Sequence, residues 1–155
     1  MKRIRRFICF CLAMNCLLLF SMNVSAAGRK VEQKFSDGSY IETYTVKEPT
    51  NVRRFIINKV SGKKTKNYRD SKGKLMWSVT ICATFSYNRK SAKCVRKSVT
   101  TRCPGKNWKI VKKSASSSKG SATGKATARR SFRGKTVRRI SRSVKLSCTA
   151  SGRLK

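Results

Sequence analysis

The chain has 155 residues, with 39 Lys+Arg against 5 Asp+Glu and no histidine, for a formal net charge of +34. That length bounds it to one small domain, and 39% apolar residues suffice for a modest core, which argues against full disorder. The commonest general base and metal ligand is missing, and five carboxylates leave little for acid/base pairs or a hard-cation site, so most enzyme classes are disfavoured and neither metal nor cofactor is expected.

Residues 1–27 carry Lys2, Arg3, Arg5 and Arg6, an apolar stretch from Phe7 to Phe20, and the small residues Ser25-Ala26-Ala27. This order predicts a secretory signal peptide cleaved near Ala27. The apolar run is about 14 residues and holds Asn15, against the roughly 20 that span a bilayer, so no transmembrane anchor is expected in the mature chain, residues 28–155. Cleavage removes Cys9, Cys11 and Cys16 and leaves Cys82, Cys94, Cys103 and Cys148. In a small exported domain four cysteines read as two disulfides, each stabilising by about 2–4 kcal/mol. A structural zinc is disfavoured, because no Cys-x-x-Cys pair and no histidine exist.

Residues 28–48 hold four basic and four acidic residues, whereas 49–155 hold 31 basic residues and only Asp70. The asymmetry predicts a charge-balanced N-terminal segment, 28–50, ahead of a strongly cationic β domain, 51–155. Tyr40 to Val46 and Val52 to Val60 are rich in β-branched and aromatic residues and read as strands. Ser61 to Lys74 has glycines near both ends and no aliphatic residue, and reads as a solvated loop. From Leu75 to Tyr87 the odd positions are apolar and alternate with mostly Ser or Thr, which predicts one long strand.

Asn88-Arg89 is a two-residue hairpin candidate leading to a strand over Ser91 to Thr101, and Pro104-Gly105 turns the chain again. Trp108 and Ile110 open the next strand, and a loop is expected at Ser116 to Gly120. Ala122, Gly124, Ala126, Ala128 and Phe132, then Ile140, Val144, Leu146 and Cys148, supply two further apolar faces. Turns every ten to fifteen residues and no helical stripe favour an all-β fold, a small antiparallel β-sandwich.

Cys148 shares parity with Ile140, Val144 and Leu146, and Trp108 lies between Cys94 and Cys148. This spacing resembles the Cys…Trp…Cys of immunoglobulin-like domains, in which an inter-sheet disulfide packs on tryptophan. Of the three connectivities, the preferred one joins Cys94 to Cys148 across the core and Cys82 to Cys103 as a peripheral staple. Trp77, Phe85-Ser86-Tyr87-Asn88, Cys94, Trp108-Lys109-Ile110 and the closing Leu146-Ser147-Cys148 to Gly152 also resemble small secreted bacterial proteins grouped as a domain of unknown function. The resemblance implies export and a Gram-positive source, but no activity. Arg89 stands where such proteins commonly carry glycine.

Charge of this density implies a polyanionic partner. For a secreted Gram-positive protein the abundant polyanions are teichoic acids and anionic lipid head groups. The candidate contacts are Arg53, Arg54, Lys63, Lys64, Lys66, Arg89, Lys90, Arg96, Lys97, Lys112, Lys113, Arg129, Arg130, Arg138 and Arg139, although neighbours along a strand point to opposite faces. Nucleic acid is an alternative partner in vitro, with Phe85, Tyr87 or Phe132 as stacking residues whose parity favours burial. A membrane-active antimicrobial protein is a further alternative, but no amphipathic helix accompanies the charge. No nucleophile, base or carboxylate pair has a second catalytic element beside it, so a non-enzymatic protein is expected.

Overall fold

The computed structural model describes residues 28–48 and 58–155. The predicted signal peptide, Arg53 and Arg54 lie outside the described residues. The described chain contains eight strands: β1 (Lys30–Lys34), β2 (Tyr40–Glu48), β3 (Asn58–Arg69), β4 (Leu75–Tyr87), β5 (Ala92–Arg102), β6 (Trp108–Ser118), β7 (Ser121–Phe132) and β8 (Lys135–Ser147). They form two antiparallel sheets, β1-β2-β3-β4-β5 and β6-β7-β8, packed face to face as a sandwich. No helix in the described residues is long and apolar enough to cross a membrane.

The period-2 pattern of β4 builds the core. Trp77, Val79, Ile81, Ala83 and Phe85 are buried along one face and meet the inner residues of β7 and β8. β7 contributes only small residues, Ala122, Gly124, Ala126 and Ala128, so the sheets approach closely there. A Cβ on Gly124 would lie 3.1 Å from Val99 Cγ2 and 3.3 Å from Ile81 Cβ. Large residues of one sheet thus fill the space left by small residues of the other, and Ile140, Val144 and Leu146 close the layer. Burying each large apolar side chain stabilises by about 1.5–3 kcal/mol.

Turn chemistry sets the hairpins. Asp37 Oδ1 accepts from the Ser39 amide, Asp70 Oδ1 from the amides of Lys72 and Lys74, and Asn88 Oδ1 from those of Lys90 and Ser91. The β7–β8 turn places Arg133 (φ 47°) and Gly134 (φ 77°) in the left-handed region, the requirement of a type I′ hairpin. The β4–β5 connection is longer than the expected two-residue turn. Its last strand pair is Tyr87 with Ala92, and Arg89, at φ 67°, lies within it.

Three expectations change. Ser61 to Arg69 is the body of β3, a central strand, and not a solvated loop. Its polar residues are satisfied in place: Thr65 Oγ1 bonds Thr80 Oγ1 at 2.8 Å, Asn67 donates to Glu42 at 2.8 Å, and Tyr68 is buried. The N-terminal segment is not separate from the cationic domain, because all of β2 pairs with β3 from Tyr40–Arg69 to Glu48–Ser61. The loop expected at Ser116 to Gly120 shrinks to Lys119-Gly120.

The immunoglobulin-like arrangement is absent from the described residues. Every strand pairs only with its chain neighbours, so the sheets are two meanders and not a Greek key. Trp108 opens β6 and packs on Tyr68, with ring centroids 5.3 Å apart. Cys148 lies at the other end of the sandwich, its amide donating to Gly120 O. The deeply buried tryptophan is Trp77.

Candidate functional site

The second sheet carries charge of one sign. Residues 108–147 contain 13 Lys and Arg and no carboxylate; all five acids lie between Glu32 and Asp70. Strand alternation sends Ala122, Ala126, Ala128, Ile140, Val144 and Leu146 to the core, so their neighbours line the solvent face. Register aligns that face in rows: Lys109, Arg129 and Arg139; Lys112, Thr127 and Ser141; Ser114, Lys125 and Ser143; then Thr123 with Lys145. Six cations therefore share the outside of three strands, separated only by Ser and Thr.

A bulge at Val111 makes this face. Lys109 and Lys112 are three residues apart and would point oppositely on a regular strand. Between the Ile110–Ala128 and Lys112–Thr127 pairs, Val111 has no partner, and both lysines reach the outer side. A shallow groove of about 530 Å³ runs along it, with Lys112, Ser114, Lys125, Thr127, Ser141 and Ser143 in its lining. Arg129 is held in the row of three cations, and its shielded Nε has no hydrogen-bond partner among the described residues. Rows are about 5 Å apart across strands, and same-face residues are about 7 Å apart along a strand, a spacing on which a repeating anionic chain can meet several cations at once.

The other predicted contacts are dispersed or neutralised. Lys63 pairs with Glu48 at 2.5 Å and Lys66 with Glu32 at 2.6 Å. Arg138 bonds Asp37 Oδ2 at 2.6 Å and covers the rings of Phe35 and Tyr68. Lys64 stands on the Lys66 side of β3, while Arg89 and Lys90 occupy the β4–β5 turn. Arg96 joins the outer face of the first sheet; Lys97, Lys113 and Arg130 register with or beside inward-facing positions. Of the predicted contacts, only Lys112, Arg129 and Arg139 come together on the second sheet's outer face. Lys109, Lys125 and Lys145 complete it, and the Lys125-x-Thr127-x-Arg129 alternation was their signal.

Phe85 is fully buried and Tyr87 half-buried, whereas Phe132 is exposed, against the expectation from its parity. The four cysteines among the described residues are separate thiols in this structure. Cys82 registers with Ser98, five residues from Cys103, which separates the two by about 16 Å along the strand. A disulfide needs Cα atoms within about 7 Å, so this geometry contradicts the Cys82–Cys103 staple. Burial pushes the Cys103 and Cys148 thiols up from their ordinary values.

The acids serve the frame. Hydrogen bonds from Ser39 and then Arg138 hold the Asp37 carboxyl down at about 2, and burial opposes them only weakly. For Glu42, burial raises the carboxyl, but hydrogen bonds from Asn67 and Arg69 outweigh it and leave it lowered. Glu32 behaves likewise, with Lys66 and Thr43 as partners. Because the folded carboxyls are the stronger acids, their stabilisation is complete above about pH 4.5 and is lost as pH falls towards 2. Asp37→Asn is expected to lower the melting temperature at pH 6 by about 1–3 °C, since the pair is largely exposed. That gap should close by pH 2 in thermal melts, and a pH-independent gap would contradict the assignment.

Among known proteins, no family model, no curated protein and no solved structure matches this chain.

Proposed function

We propose that the protein is an exported, non-enzymatic binding module that holds anionic cell-envelope polymers, teichoic acid or a similar polyphosphate, on the outer face of β6, β7 and β8. The observation that carries the proposal is six cations with no carboxylate on one face of a small sheet. The outer face of the first sheet is larger and its charge is partly neutralised, since Glu48 pairs with Lys63 and Glu42 with Arg69 on that face. The Ser and Thr hydroxyls between the cations add hydrogen-bond donors for phosphate oxygens. Export rests on residues 1–27 and on the resemblance to small secreted bacterial proteins.

A disulfide between Cys94 and Cys148 belongs to the same proposal. The Cys94 amide donates to Lys119 O at 2.9 Å and the Cys148 amide to Gly120 O at 2.8 Å, so both backbones flank one two-residue turn. Both residues pack against the core. An oxidising compartment would join them and leave Cys82 and Cys103 as thiols.

Co-sedimentation of the oxidised protein with Gram-positive cell walls, before and after teichoic acid extraction, tests the function. Binding that requires teichoic acid and survives physiological salt is expected. Binding indifferent to extraction would overturn the ligand assignment.

A further inference from the structure

The β7–β8 hairpin extends past the core. Its last pair with both members buried is Ala128 with Ile140, and Arg129–Arg139, Arg130–Arg138, Ser131–Thr136 and Phe132–Lys135 follow it. Four further pairs reach about 13 Å beyond that point. The base is pinned: Ser131 N donates to Asn107 O at 2.9 Å, and Arg138 Cζ sits 5.3 Å from the Phe35 ring centroid while its guanidinium bonds Asp37. The tight Arg133-Gly134 turn fixes the end.

That tip exposes two large apolar side chains, Phe132 at 56% and Val137 at 55%. Phe132 continues the inward-facing parity of β7 but lies beyond the last buried pair of the hairpin and is exposed. Val137 is the unpaired residue of a bulge between Arg138 and Thr136. Arg133 lies over the Phe132 ring at 5.5 Å, and Arg130 and Lys135 complete the surround. An apolar tip ringed by long cationic side chains has the composition that lies in a headgroup layer, with the ring below and the charges snorkelling to phosphate.

We propose that this hairpin tip anchors the protein to an anionic lipid surface through Phe132, independently of the polymer-binding face. Binding is measured to vesicles of phosphatidylcholine with and without phosphatidylglycerol. Phe132→Ala should weaken binding to the anionic vesicles about fivefold to tenfold, the effect of withdrawing much of one phenyl ring from an apolar layer, and leave wall binding unchanged. Phe132→Trp should add emission that shifts to the blue and is quenched by brominated lipid on anionic vesicles only. Soluble glycerophosphate should not compete, which separates a bilayer from a free phosphate.

Phe132 is exposed and outside the core cluster, and circular dichroism checks that both variants fold. Equal binding by Phe132→Ala and the parent protein, or an added tryptophan that stays in water, would overturn the anchor. Unchanged wall binding in variants of the outer face, with vesicle binding lost only in Phe132→Ala, would leave the anchor standing and remove the polymer assignment.

Discussion

Replacing Lys109, Arg129 and Arg139 together by glutamate is expected to reduce affinity for purified teichoic acid by more than about a hundredfold at moderate salt. These three residues form one row across all three strands of the second sheet, with no carboxylate on that face to rearrange against. Contacts from six cations give log affinity a slope of about −4 against log salt, at about 0.7 per phosphate contact on a flexible chain. The triple variant keeps three of the six, so its slope falls to about −2. The matched control is reversal of Lys93, Arg96 and Arg102 on the outside of β4's other neighbour, β5, which removes the same net charge. Equal losses in the two variants would mean that net charge alone drives binding, and the face would have no special role.

The charge of this face is plain in the sequence, but its geometry is not. Arg129-Arg130 and Arg138-Arg139 read as clusters, yet alternation puts one member of each pair outside and turns the other towards the first sheet. The bulge at Val111 rephases β6, so Lys112 and Lys109 share a side while the adjacent Lys113 registers with the buried Ala126. No composition argument locates a bulge in a run such as Ile110-Val111-Lys112-Lys113, because the extra residue is set by the partner strand. The exposed valines Val95, Val111 and Val137 all sit unpaired at such register shifts.

The fold was most legible where alternation was clean. Leu75–Tyr87 has the bounds its period predicts, since large apolar residues on one side and Ser or Thr on the other suit a central strand with one buried face. β3 was hidden for the opposite reason. Its lysines resemble a solvated loop, but Glu48 of β2 and Glu32 of β1 neutralise Lys63 and Lys66, and hydroxyls pair as in Ser61–Thr84. Those partners are distant in sequence, so the charge balance that places β3 inside the sheet is a tertiary property. The same contacts explain why the acidic segment is part of the fold: it supplies the counter-charges of the first sheet and, apart from Asp37 on Arg138, leaves the second without any.

Replacing both Cys94 and Cys148 by serine in the oxidised protein is expected to cost about 4 kcal/mol of stability, the chain-entropy value for a loop of this length. The loop runs from residue 94 to residue 148, 148 − 94 + 1 = 55 residues, and in the unfolded chain it would be the main restraint on β6, β7 and β8. The expected fall in melting temperature is roughly 10–20 °C. Serine at the buried Cys148 site carries its own desolvation penalty, so the decisive comparison is with reduced parent protein, whose stability should fall most of the way to that of the double variant. Cys82→Ser should be nearly neutral, because Cys82 is half-buried among Thr80 and Thr84 and lies far from the other sulfurs along the sheet. Non-reducing peptide mapping reads the connectivity directly. A Cys94–Cys148 link with alkylatable Cys82 and Cys103 is the expected map. Four alkylatable thiols in the oxidised protein, or a link to Cys82 or Cys103, which would require a rearranged β5, would overturn both the pairing and the stability difference derived from it.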